Sequence, residues 1–167
     1  MSYILSDRRD SLEFTAEHLR RYQEYLVSMR NRFPRSAYAI ATSDWWYSFE
    51  DPRAPHDSAL ASLRMTDTWA STEDRPQFCS ITVELEAANG GRIILTYPEV
   101  RKYNLTMPGE PSQIHGDWRY DEFTISDEDL LVHSIEWADG PVWTITATDL
   151  IHEYRNDDEA AEHSAGR

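Results

Sequence analysis

The sequence predicts an α+β domain, with an N-terminal amphipathic helix packed on a curved antiparallel β-meander or partly closed barrel of seven to eight strands. Three observations carry this. Apolar residues recur at helical spacing between Asp10 and Phe33. From about residue 59 they recur at every second position instead. The alternating segments are joined by short turn sequences rather than by helices.

The helix is expected over Asp10 to Phe33. Asp10 with Glu13 three residues on is a capping-box pattern. Leu12, Leu19, Tyr22, Leu26, Met29 and Phe33 then form one apolar stripe, with Arg20, Arg21, Glu24 and Arg30 off it. Pro34 ends the run, because a proline inside a helix removes a backbone donor and clashes with the preceding turn. Such a stripe is normally buried. The charged outer face suits a solvated surface or, alternatively, a dimerisation surface. Residues 37–47 stay open between a short helix capped by Ser36 and a buried strand, since a short apolar run fits either.

Leu63 and Met65 place a strand near residues 59–66, and residues 67–76 read as a polar loop. Cys79, Ile81, Val83, Leu85 and Ala87 alternate with polar residues, the pattern of a strand with one dry and one wet face. Asn89-Gly90-Gly91 turns the chain into Arg92–Tyr97. Pro98 suggests a strand boundary, with a further strand near 99–106. Trp118–Ile125 is the next strand. Asp127-Glu128-Asp129 turns it into a strand whose inner face holds Leu131, His133, Ile135 and Trp137. Asp139-Gly140 marks another hairpin, returning through Trp143, Ile145 and Ala147. A last short strand fits Ile151–Tyr154. Residues 1–155 are expected to form one domain, and residues 156–167 an acidic, disordered tail.

The 167 residues carry a net charge of −14, unevenly placed. Residues 1–35 hold seven Arg against five Asp or Glu, whereas residues 36–167 hold nine Lys or Arg against 25 acidic residues. Nucleic acid is disfavoured as a partner, because its binding rests on cations that neutralise phosphates. A basic protein partner would be attracted and steered. Fifteen Trp and Tyr residues mark a chain that folds. The single cysteine, Cys79, excludes an intramolecular disulfide. With no signal-like leader and no long apolar run, a cytoplasmic setting away from the membrane is expected.

Two loops pair histidine with aspartate: His56-Asp57 and His115-Gly116-Asp117. If they meet, His56, Asp57, His115 and Asp117 form a candidate acid–base set, and His56, His115 and Asp117 a candidate metal site. The plainer reading is that both aspartates shape turns. The spacing matches no zinc signature, and no phosphate loop or nucleophile motif appears, so no cofactor is expected. His133, on an apolar face, reads as a satisfied core histidine. Trp45, Trp46 and Tyr47, followed by Glu50 and Asp51, are the candidate partner-binding residues. Three consecutive large rings cannot all face inward, and exposed Trp and Tyr favour interfaces.

The stretches Ala41–Tyr47, Pro55–Ser58, Leu95–Tyr97, His115–Glu122 and His133–Trp137 together resemble an uncharacterised family of small bacterial proteins, over roughly residues 36–155. That resemblance implies a bacterial source and carries no activity. The small acidic α+β build also looks like that of bacterial immunity proteins. The functional expectation is therefore an acidic interaction protein, an immunity-type or anti-defence inhibitor of a basic protein partner, rather than an enzyme.

Overall fold

A computed structural model describes residues 3–5, 12–68, 78–107, 109, 114–138 and 142–156. Two helices, α1 (Leu12–Ser28) and α2 (Arg35–Ala41), precede eight strands. These are β1 (Ala59–Thr68), β2 (Phe78–Glu86), β3 (Arg92–Val100), β4 (Lys102–Asn104), β5 (Trp118–Ile125), β6 (Leu131–Trp137), β7 (Val142–Ala147) and β8 (Ile151–Arg155). Asp10, the Asp139-Gly140 turn, most of the 67–76 loop and residues 157–167 lie outside the described residues.

The strands form two four-stranded antiparallel sheets, ordered β1-β2-β3-β8 and β4-β7-β6-β5, in place of a single meander or a barrel. The reason lies at the end of β3. Its chain leaves the first sheet at Val100, and the Arg101 amide donates to the Thr146 carbonyl at 2.8 Å, which starts β4 against β7 in the second sheet. β8 then returns to pair with β3. The inner faces meet in one core: Ile81, Val83, Leu85, Ile93 and Leu95 from the first sheet, and Leu131, Ile135, Trp137 and Ile145 from the second.

Pro98 does not end β3. Cys79 pairs with Val100 and Ile81 with Tyr97, so Pro98 and Glu99 share one extra residue in a bulge, with Glu99 at φ 46°. A bulge is where a strand tolerates a residue without an N–H. The strand expected at 99–106 reduces to the end of β3 and the short β4. β1 runs to Thr68, two residues into the expected loop, and both Leu63 and Met65 stay exposed on this edge strand.

Residues 37–47 resolve as α2 followed by turns. Pro34 stands at its N-cap, and Asp149 Oδ1 accepts from the Ala37 amide at 3.0 Å. A carboxylate from a distant loop thus does the work that Ser36 was expected to do. α1 ends at Ser28, short of Phe33, and residues 29–33 continue as turns. Ser28 Oγ donates back to the Tyr25 carbonyl, a local bond that competes with helix continuation.

α1 lies along the outer edge of β5. Tyr22 Oη donates to the Phe123 carbonyl and accepts from its amide, and Tyr25 Oη accepts from the Ile125 amide. The helix therefore satisfies an edge that would otherwise offer free backbone groups to another chain. Glu122, on the opposite face of β5 from Phe123, accepts the amides of Tyr3, Ile4 and Leu5, which ties that segment beside the helix. No helix among the described residues is long and apolar enough to cross a membrane.

Candidate binding site

A bulge in β5 builds the site. Trp118 pairs with Trp137 and Tyr120 with Glu136, so β5 carries one extra residue at Arg119. Strict alternation would put Trp118 and Asp121 on opposite faces. The bulge shifts the phase and both point inward, with Trp118 Nε1 donating to Asp121 Oδ1 at 3.2 Å.

Asp121 is the hub of a buried polar network. Trp46 Nε1 donates to its Oδ2 at 2.9 Å, and His133 Nε2 lies 3.1 Å from the same oxygen. His133 Nδ1 lies 2.7 Å from Tyr97 Oη, which carries the network across to the first sheet. All five side chains are buried among core rings. Burial, and then the negative charge of Asp121, push the Tyr97 phenol well above its usual range. Tyr97 is therefore an O–H at neutral pH, with His133 Nδ1 in hydrogen-bond reach on one side of the ring and Asp121 facing Nε2 on the other. His133 is a satisfied core histidine, as its place on the apolar face predicted.

Above Asp121 lies a cavity of about 160 Å³. Trp46, Tyr47, Trp118 and Tyr120 supply rings to its wall, Leu19 of α1 and Ile4 close one side, and Phe49, Pro55 and His56 close the other. Phe49 is 66% exposed and the neighbouring His56 ring packs against it, centroids 4.0 Å apart. Arg119 also lines the cavity from an exposed position. Asp121 is the one carboxylate in the described lining and much of the rest is aromatic, a composition that suits ligand recognition.

The two His-Asp loops do run side by side. The Asp57 amide donates to the Trp118 carbonyl, the Trp118 amide donates to the Ser58 carbonyl, and Ala59 bridges Asp117. Their histidines rest on different clusters. His56 sits against Phe49 and Tyr120, with Asp57 Oδ2 3.0 Å from its Nδ1 but outside hydrogen-bonding geometry. His115 sits against Trp137 and Trp143, its Nε2 without a hydrogen bond among the described residues. Burial lowers the His115 pKa, opposed by the Thr106 carbonyl. Among the described residues no three His, Cys, Asp or Glu side chains come together as a metal-holding group.

The aromatic run divides. Trp46 and Tyr47 become cavity wall rather than protruding anchors. Trp45 lies under the Arg53 guanidinium, 4.8 Å from its ring centre, and beside His152. Asp51 is held by Arg53 through both carboxylate oxygens, which lowers its pKa to about 2. Glu50 is exposed. Phe49 is the ring that reaches solvent. Asp121 and Tyr97 were not singled out by sequence reasoning. The available signal was a polar residue at an inward position in each of three strands, hidden at Asp121 by the bulge.

Compared with protein-family models, curated proteins and solved structures, the chain has no match.

Proposed function

We propose that this chain is a non-catalytic interaction protein whose aromatic cavity receives one side chain of a basic protein partner. The observation that carries this reading is the size and composition of the cavity. Pockets for drug-sized ligands span roughly 300–1,000 Å³. A cavity of about 150 Å³ holds a benzene ring, so the space here fits a single large side chain. Anchors of this kind, seated in preformed pockets, concentrate binding energy in protein interfaces.

Charge selects the partner. The acidic excess beyond position 35, 25 acidic residues against nine Lys or Arg, gives a field that speeds encounter with a basic surface and repels an acidic one. An immunity-type or anti-defence inhibitor, covering a basic site of a bacterial toxin or nuclease in the cytoplasm, is the biological form that suits this chemistry. The His-Asp loops, with their rings on separate clusters, give the alternative of metal or acid–base chemistry less to work with.

Selection from a random displayed-peptide library tests the reading. The expected result is enrichment of peptides with one large side chain flanked by Lys or Arg, bound at least tenfold more weakly by Phe49→Asp or by Leu19→Trp, which fills the cavity (an affinity loss of about 1.4 kcal/mol). Enrichment of acidic peptides, or binding indifferent to both substitutions, would refute it.

A further inference from the structure

Asp121 is the one carboxylate among the described residues that line the cavity. Asp121 is 3% exposed, and its three hydrogen bonds come from Trp46 Nε1, Trp118 Nε1 and His133 Nε2. Both indoles are neutral, and the third partner, the His133 imidazole, also meets the Tyr97 hydroxyl through its Nδ1.

We infer that the anchor received by this cavity is cationic: the ammonium or guanidinium head of a lysine- or arginine-type side chain, placed over Asp121 and between the surrounding rings. This rests on the reading of the cavity as a docking site and adds the chemistry of its occupant. Two independent features converge on it. The first is the Asp121 carboxylate in the lining. The second is the wall of Trp46, Tyr47, Trp118 and Tyr120 with Phe49 at the mouth, since aromatic rings attract cations most where water is excluded. Besides His18 and His56, the lining holds one cationic residue, Arg119, which is exposed and whose charge solvent screens. It makes no hydrogen bond or ion pair among the described residues.

The test separates charge from shape. Choline and 3,3-dimethylbutan-1-ol have the same outline and differ by one positive charge. Each is titrated into the full chain at physiological salt while the indole N–H signals of Trp46 and Trp118 are followed by NMR, with N-acetyl-lysinamide and N-acetyl-argininamide as further arms. The expected result is saturable shifts with choline and at least one of the two amides, and choline bound at least tenfold tighter than its carbon isostere. Asp121→Asn removes the preference for charge. Because that change touches the buried network, Phe49→Leu serves as a second variant: it keeps apolar bulk at the mouth and weakens choline by about threefold, more than it weakens the isostere. Equal or tighter binding of the neutral isostere overturns the cationic anchor while leaving a docking cavity for a neutral side chain. Choline bound without either amide overturns the side-chain assignment. Silence of both indoles with every probe overturns the inference, and the peptide selection then decides separately whether the cavity docks anything.

Discussion

Tyr22 holds both backbone groups of Phe123, donating to its carbonyl at 3.1 Å and accepting from its amide at 2.7 Å. One phenol thus replaces the neighbouring strand that β5 lacks on its outer edge. Tyr22→Phe leaves both buried groups without a partner at a cost of about 1–3 kcal/mol each, so the variant is expected to lose about 2–4 kcal/mol in urea unfolding. Tyr25→Phe, which frees one half-buried amide at Ile125, is expected to lose about 1 kcal/mol. A Tyr22→Phe protein as stable as the parent would contradict this account of how α1 docks.

The protonation of His133, set between Tyr97 and Asp121, is directly observable. Long-range ¹H–¹⁵N spectra of the imidazole at neutral pH are expected to show the proton on Nε2 alone. Tyr97→Phe removes the donor to Nδ1 and should cost about 1–3 kcal/mol. Protons on both nitrogens would make His133 the counter-ion of Asp121 and remove the need for a cation from outside.

Two other histidines set a pH dependence. His115 and His152 are both held below the ordinary value of 6.5, burial being the largest cause in each. The unfolded chain therefore binds protons at these sites more readily than the folded one. Their contribution to stability is complete above pH 6.5 and is lost as pH falls below it toward the folded values. Urea midpoints are expected to fall between about pH 7.5 and 5.5, and His152→Gln should flatten the slope. A midpoint that rises over this interval would be the wrong sign. Asp51, held at about 2 by Arg53, titrates in a separate, more acidic window and does not blur the result.

Among the described residues β1 pairs with β2 and, beyond the single bridge from Ala59 to Asp117, with no other strand, and its Leu63 and Met65 are exposed. Substitution of either by Lys is expected to change stability by less than about 0.5 kcal/mol, while lowering any self-association seen by light scattering. A large loss of stability would mean that this edge is covered.

The central strands were legible because one face of each is dry, as in Cys79–Ala87 and Leu131–Trp137. The turn at Asn89-Gly90-Gly91 was legible because Gly90 and Gly91 take φ of 89° and 84°, which glycine adopts without strain. What escaped were the places where alternation breaks. The bulge at Pro98 and Glu99 keeps β3 whole through a proline, and the bulge at Arg119 turns Asp121 inward. Alternation also says which face is dry without saying which sheet a strand joins, so the crossing at Arg101 had no signal. The cavity was half visible. Trp46 and Tyr47 were marked as unusual, but their role as wall depends on Asp121, 75 residues away from Trp46 in the chain. The proximity of the His-Asp loops followed from their backbones, whereas the direction of each ring depended on packing that no local pattern encodes.

The central claim is that a basic partner places a side chain in the cavity above Asp121. The most direct measurement follows three indole N–H signals while a selected Lys- or Arg-bearing peptide is added. Trp46 and Trp118 donate to Asp121, and Trp143 donates to the Thr106 carbonyl away from the cavity. The account predicts that the first two shift together along one saturating curve while Trp143 stays in place. A peptide that binds with Trp46 and Trp118 unmoved would contradict it.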